Sequence, residues 1–236
     1  MRIHRFYLQN TPETLEETNL LSIADENLIH QWRSVLRFTP GEIAELFTHE
    51  GTTYSVKLTE LTKKLSTWEI LNTIKKDINT SKVSLYMSVI KKDNFELVTQ
   101  KSTEIGVAEI VPILSSRSQH KSLNHDRLSK IVIEATEQSG GMKPPSIEGI
   151  LTLKEGLNRA QKENQNVIVC EFDGILLEDF DHKDDTHVAL FIGPEGGWSE
   201  EDRELFEKYS VTKISFGTKV LRAETAAIVG VWEFGK

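Results

Sequence analysis

From about residue 75 onward the chain alternates between two periods. VSLYMSVI sets Val83, Leu85, Met87 and Val89 two apart, the spacing of one face of a strand. Phe95, Val98, Ser102 and Ile105 then follow at helical spacing until Gly106, with Asp93 and Glu96 placed as a capping box at the helix start. EIVPIL predicts the next strand, and residues 125–139 an amphipathic helix through Leu128, Ile131, Val132 and Ala135 that stops at Gly140-Gly141. Thr152 with Glu155 opens another helix, running to about Glu163. VIVCEF and HVALFI are apolar almost throughout, as strands of a parallel sheet covered on both faces are. Ser199 with Asp202 repeats the capping signal, KISFG is a last strand, and residues 224–234 a last helix. Strands alternating with helices predict an α/β domain over residues 75–236.

Residues 1–74 read differently. IHRFYL, EIAELFT, TYSVKLT and STWEILNTI mix β-branched and aromatic with polar positions, separated by turns such as Thr39-Pro40-Gly41 and Glu50-Gly51. One helix fits residues 25–36, with Leu28, Trp32, Val35 and Leu36 on one side. This predicts a small β-rich module ahead of the α/β domain.

Composition narrows the function classes. In 236 residues, 38% are hydrophobic and 27% charged, which is globular rather than disordered. No apolar run reaches the ~20 residues of a membrane span and the opening MRIHRFYLQN lacks a secretory core, so the expected location is the cytoplasm. Cys170 is the only cysteine, which excludes an internal disulfide or a cysteine cluster, and the histidines lack ligand spacing, so no metal is expected. The net charge of −8 argues against a nucleic-acid partner until its distribution is considered. Residues 171–185 alone carry a net −6, whereas residues 117–143 carry a net +2 through Arg117, Lys121, Arg127, Lys130 and Lys143, so a local RNA-binding face is compatible with the total.

The candidate chemistry lies in two glycine-bearing loops after the last two strands: Ile192-Gly193-Pro194-Glu195-Gly196-Gly197-Trp198, and Phe216-Gly217-Thr218-Lys219-Val220-Leu221-Arg222-Ala223-Glu224-Thr225-Ala226. Both emerge at carboxyl ends of strands, where open α/β sheets bind ligands. The first is neither a P-loop nor a GxGxxG turn, and glycine there can lay bare backbone amides and carbonyls against a flat ring such as adenine.

GPEGGWS followed by FGTKVLRAETAA resembles the cofactor signature of the bacterial 16S ribosomal RNA uridine-N3 methyltransferases, members of the SPOUT (trefoil-knot) superfamily. Gln100–Val107, Arg117-Ser118 and Glu134–Gly140 resemble further family blocks. Arg2, Arg5 and Val35-Leu36-Arg37 are similar to its N-terminal RNA-binding module, which is PUA-like. Phe216 and Lys219 stand where leucine and arginine are usual, Asn94 replaces a basic residue, and Gly141 an arginine.

The resemblance implies an α/β fold with a C-terminal, trefoil-knotted parallel-sheet domain preceded by a PUA-like β-barrel, and a homodimer. It implies S-adenosyl-L-methionine as cofactor, held by Glu171, Ile192, Gly193, Pro194, Glu195, Gly196, Gly197, Phe216, Gly217, Val220, Leu221, Arg222, Thr225 and Ala226. It implies 16S ribosomal RNA of the small subunit as substrate, contacted by Arg2, Arg5, Arg37, Lys91, Lys92, Arg117, Gln138 and Lys143, and methylation of a uridine N3. In that reaction Arg222 can stabilise the developing imidate, and Glu171, Glu195 or Glu224 can accept the proton. Arg222 and Glu224 can equally be a salt bridge that fixes their loop. A non-catalytic RNA-binding protein and a nucleotide hydrolase are the competing classes. Intact loops argue against the first, and the lack of a phosphate loop and metal cluster against the second.

Overall fold

The computed structural model describes residues 3–10, 14–15, 19–75, 82–163, 165–181 and 187–235. They form two compact units, Met1–Asn79 with Thr136–Pro144, and Thr80–Ala135 with Pro145–Lys236. A single cut after residue 74 leaves 136–144 with the second unit; by contact they group with the first.

In the first unit, β1 (His4–Leu8), β2 (Thr14–Leu15) and β3 (Leu20–Ile23) precede α1 (Glu26–His30), and β4 (Ile43–Thr48), β5 (Thr52–Leu61) and β6 (Ser66–Lys75) follow. The sheet order is β1-β4-β5-β6-β3-β2, antiparallel apart from the parallel pair β1 and β4. The short strands β2 and β3 carry no clear alternation in sequence and were not predicted. Asp25 caps α1, its carboxylate accepting from the Asn27 and Leu28 amides. The helix predicted over 25–36 does not stay α-helical: from Gln31 to Val35 it is π-helical, and the Leu36 amide donates to the Gln31 carbonyl. That stretch carries Trp32 fully into the core, edge-on to Phe6 (5.5 Å) and Trp68 (4.9 Å).

The second unit runs β7 (Val83–Ser88), α2 (Lys92–Ile105), β8 (Glu109–Leu114), α3 (His125–Ser139, counted here only as far as Ala135), β9 (Ser146–Ile147), β10 (Leu151–Thr152), α4 (Leu153–Lys162), β11 (Asn166–Leu176), β12 (Val188–Ile192), α5 (Glu200–Lys208), β13 (Thr212–Ser215) and α6 (Ala223–Phe234). Every strand pair is parallel, in the order β10-β8-β7-β12-β11-β13 with β9 beside β8, so the α/β reading holds for this half of the chain. The central strands β7 and β12 are buried at every position, because helices cover both sheet faces. Tyr86 and Phe191 stack at 4.4 Å beneath α4, where Gly156 lets the helix backbone approach.

Both capping boxes at Thr152/Glu155 and Ser199/Asp202 form as predicted. The one at Asp93/Glu96 does not. The helix starts two residues earlier, with Lys91 in place of Asp93 as its cap, and Glu96 instead pairs with Lys92 and Arg127. The last helix, α6, packs on α2, β7 and β12 through small residues. A Cβ on Gly230 would lie 2.7 Å from the Leu190 side chain and 3.2 Å from that of Phe216, so any larger residue there would have to displace them.

Candidate active site

Beyond the carboxyl ends of β11, β12 and β13 the second unit holds a cavity of about 620 Å³, within the range of ~300–1,000 Å³ usual for small-ligand sites. Each wall follows from a local feature of the sequence. After β12 the chain turns through Gly193–Trp198, where Gly197 has φ +64 and its amide closes on the Pro194 carbonyl at 2.8 Å. Trp198 is buried against Gly193 and donates from its indole to the Cys170 carbonyl at 3.0 Å, which ties this loop to β11. The loop ends at the capped start of α5.

The second wall is β11, which pairs with β13 out to Cys170, breaks register, and resumes at Ile175. Gly174 sits in that bulge so close to β13 that a Cβ would meet Ile214 and Lys213 backbone at 2.6 Å. Glu171 and Phe172 project from the bulge into the cavity lining. Glu171 is neutralised by Arg203 on α5, through hydrogen bonds of 3.3 and 3.1 Å. Cys170 also lines the cavity, and burial pushes its thiol well above the usual range, so it is a poor nucleophile.

The third wall is the loop from β13 to α6. Gly217, at φ +109, is held by the Ser215 hydroxyl, and no atom stands within 4 Å of where its Cβ would be. Arg222 is the N-cap of α6 without a side-chain cap and is almost wholly exposed. Its guanidinium is 3.9 Å from one oxygen of Glu224, and the other oxygen of Glu224 is buried with no hydrogen-bond partner among the described residues.

Of the residues expected to hold a cofactor, Glu171, Ile192, Gly193, Pro194, Glu195, Gly196, Gly197, Phe216, Gly217, Val220, Leu221, Arg222 and Ala226 line this one cavity. Thr225 is outside the lining and exposed on α6. Asn94, Trp198, Ser215 and Lys219, which are not among the residues expected to hold the cofactor, also line it. Trp198 was legible as the end of GPEGGW, but its role depends on a carbonyl 28 residues away.

The residues expected to meet RNA fall on both units. Arg5 and Gln138 line a separate cavity of about 360 Å³ in the first unit. Arg5 is largely committed to the fold: it pairs with Glu45 at 3.0 Å and lies 4.6 Å over the Phe47 ring. Arg37 and Lys143 are exposed, and Arg2 lies outside the described residues. Lys91 and Lys92 begin α2, where the Lys91 amide donates to Glu195 at 3.3 Å. Arg117 follows β8 and donates to the Gly196 carbonyl at 2.8 Å. Among the described residues no cluster of His, Cys, Asp or Glu could hold a metal, and no helix is long and apolar enough to cross a membrane.

A parallel sheet with a backbone-lined cavity past its strand ends agrees with the family model of the RNA methyltransferase domain, which matches residues 77–232, and the chain belongs to that family. More particularly, it is 30% identical to Ribosomal RNA small subunit methyltransferase E of Rickettsia conorii, over 98% of this chain and 94% of that protein. It is 25% identical to the Bacillus subtilis protein of the same name, over 96% and 93%. Among solved structures it is similar to the Neisseria gonorrhoeae enzyme of that name bound to S-adenosyl methionine, with a TM-score of 0.85, 29% identity, and coverage of 98% of this chain and 95% of that one. A Legionella pneumophila methyltransferase in complex with the same cofactor gives a TM-score of 0.87 and 28% identity, over 99% and 97%.

Proposed function

We propose that this protein uses S-adenosyl-L-methionine to methylate N3 of a uridine in 16S ribosomal RNA of the small subunit. The observation that carries the reading is the cavity itself, in which both signature loops and the β11 bulge converge and offer backbone, apolar and carboxylate groups with no phosphate cradle. Relatives of the same length and fold hold S-adenosylmethionine. A sulfonium cofactor with an amino-acid tail carries positive charge, which suits a site lined by Glu195 and Glu224.

When bound, the cofactor supplies an electrophilic methyl group. The remaining work falls to the chain: excluding water, aligning the base, and handling one proton. Glu224, with its unsatisfied oxygen, is the group we assign to hold the proton lost from N3, and Arg222 the cation that opposes the negative charge left on uracil. Glu171 is less suited to the proton because Arg203 occupies both of its oxygens. Arg37, Lys91, Lys92, Arg117 and Lys143 would meet the RNA, together with Arg2, Arg5 and Gln138. The first unit would serve as a PUA-like RNA-binding module spanning about residues 1–74, the remainder as a SPOUT domain. In that domain α6 closes a trefoil knot, a reading supported by the glycine-permitted packing of α6 on β12. A cytoplasmic homodimer completes the reading. On α6, Thr225, Ile228, Val229 and Trp232 share one incompletely buried stripe that a second copy could cover.

The test is mass-spectrometric mapping of small-subunit ribosomal RNA from a strain lacking the gene. One uridine should lose a base methyl group, and purified protein with the cofactor should restore it. An unchanged modification map would overturn the reading.

A further inference from the structure

The turn that follows β8 is fastened to the far end of the Gly193–Trp198 loop. Within it, the Ser118 amide donates to the Ser115 carbonyl at 3.0 Å, and the Ser115 amide to the Ser118 hydroxyl at 3.2 Å. The Ser116 amide and hydroxyl both donate to one oxygen of Asp202, at 3.2 and 2.9 Å. Asp202 is buried, and its other oxygen accepts the Ser199 amide at 2.9 Å as part of the α5 capping box. One carboxylate therefore fixes both the turn and the exit of the glycine loop. From this anchored turn Arg117 reaches back to the middle of the loop, donating from Nη1 to the Gly196 carbonyl at 2.8 Å.

Arg117 is exposed, and no carboxylate among the described residues pairs with it. A guanidinium carries five donors in a rigid plane, so holding one carbonyl leaves an open edge that matches a phosphate. Gly196 and its neighbours form the cavity lining directly behind that carbonyl.

We infer that Arg117 is a positioning residue that couples RNA to the cofactor loop: Nη1 holds the Gly196 carbonyl while the free edge takes a backbone phosphate oxygen. An exposed arginine spends part of its time away from any single acceptor. A phosphate that fixes the guanidinium raises the occupancy of the carbonyl bond, orders the loop, and tightens the cofactor. By reciprocity, the cofactor tightens RNA by the same factor. The inference rests on the proposed substrate and cofactor.

The experiment is calorimetric titration of S-adenosylhomocysteine into the full chain, alone and with saturating small-subunit ribosomal RNA from a strain lacking the gene. For the unaltered protein, RNA should tighten the ligand by about 5-fold, the low end for coupled sites. Arg117→Ala should still bind both ligands with that ratio reduced to about 1. Arg117→Lys keeps the charge but has no fork to hold carbonyl and phosphate together. It should therefore retain RNA affinity, lose the coupling, and raise the cofactor KM more than it lowers kcat. A ratio of 1 in the unaltered protein, or an undiminished ratio in both variants, overturns the inference while leaving the proposed function standing. Failure of the unaltered protein to bind either ligand overturns the proposed function and the coupling with it.

Discussion

Glu224 points one carboxylate oxygen at the guanidinium of Arg222, 3.9 Å away, and keeps the other buried without a partner among the described residues. A carboxylate serving only as a surface ion pair would leave neither oxygen in that state, because a buried unsatisfied acceptor costs about 1–3 kcal/mol. Glu224→Gln should therefore lower kcat by about 10²–10³, the scale of one lost proton acceptor, and change cofactor affinity less than 3-fold. Stopped-time methyl-transfer assays beside calorimetry measure both. Equal losses in kcat and cofactor affinity would instead make Glu224 a cofactor-holding group. Arg222→Ala should leave thermal stability within about 0.5 kcal/mol, since its side chain is exposed, while lowering kcat.

Gly217 adopts φ +109 with open space where a side chain would begin. Gly217→Ala meets no steric clash, so its effect is conformational: about 1–3 kcal/mol of strain, relieved by moving the loop away from the cavity. Cofactor affinity should fall at least 10-fold with only a small drop in melting temperature. Unchanged affinity would show that the φ +109 turn does not shape the ligand site.

The pair between Glu171 and Arg203 makes a stability prediction. Glu171 is nine-tenths buried at its side chain, so Arg203→Ala leaves a mostly desolvated carboxylate unpaired and should destabilise the fold by about 1–3 kcal/mol. The double variant with Glu171→Gln should recover part of that loss, because the uncompensated charge is gone. Urea unfolding of the four proteins in the cycle measures the coupling, and strict additivity would deny that the pair acts as one unit.

Which of these features the sequence makes legible depends on how far apart the partners are. Thr152 with Glu155 and Ser199 with Asp202 are local devices, complete within four residues, and the structure forms both. The strand and helix periods of the second unit are legible for the same reason. Asp93 with Glu96 shows the limit: the pattern is present, yet Arg127, 31 residues further on, takes Glu96, and Glu195 takes the Lys91 amide. The β11 bulge, the Trp198 anchor and the Arg117 bond to Gly196 all depend on partners that no period reveals. The two glycine loops could be read as a site because both follow strands, which places them at one sheet end whatever the intervening contacts.

Cys170 supplies a chemical prediction. Burial holds its thiol in the protonated form, so alkylation by iodoacetamide at pH 8 should be much slower than for a free thiol, and slower again with cofactor, since Cys170 lines the cavity. Because burial raises the folded-state value above the unfolded one, stability should fall as pH rises past the unfolded value, where the unfolded chain releases the thiol proton and the folded chain does not. Intact-mass kinetics would detect the modification. Rapid alkylation insensitive to cofactor would place the sulfur outside the site.

Arg37 separates RNA binding from folding, because its backbone and its side chain favour different residues. It holds φ +55, a left-handed conformation that costs a non-glycine residue about 1–2 kcal/mol, and its exposed side chain has no hydrogen bond or ion pair among the described residues. Glycine would relieve that strain at an entropic cost of about 0.5–1 kcal/mol, so Arg37→Gly should leave stability unchanged or slightly raised. If the arginine meets a phosphate, as proposed, the same substitution should weaken RNA binding. It should also reduce the slope of log affinity against log salt by about 0.7–0.9, the contribution of one phosphate contact. Cofactor affinity should not move. Thermal denaturation and filter binding over a salt series test both halves at once. Unaltered RNA affinity would remove Arg37 from the interface, whereas a fall in affinity at constant salt slope would mean that it touches a base or sugar instead of phosphate.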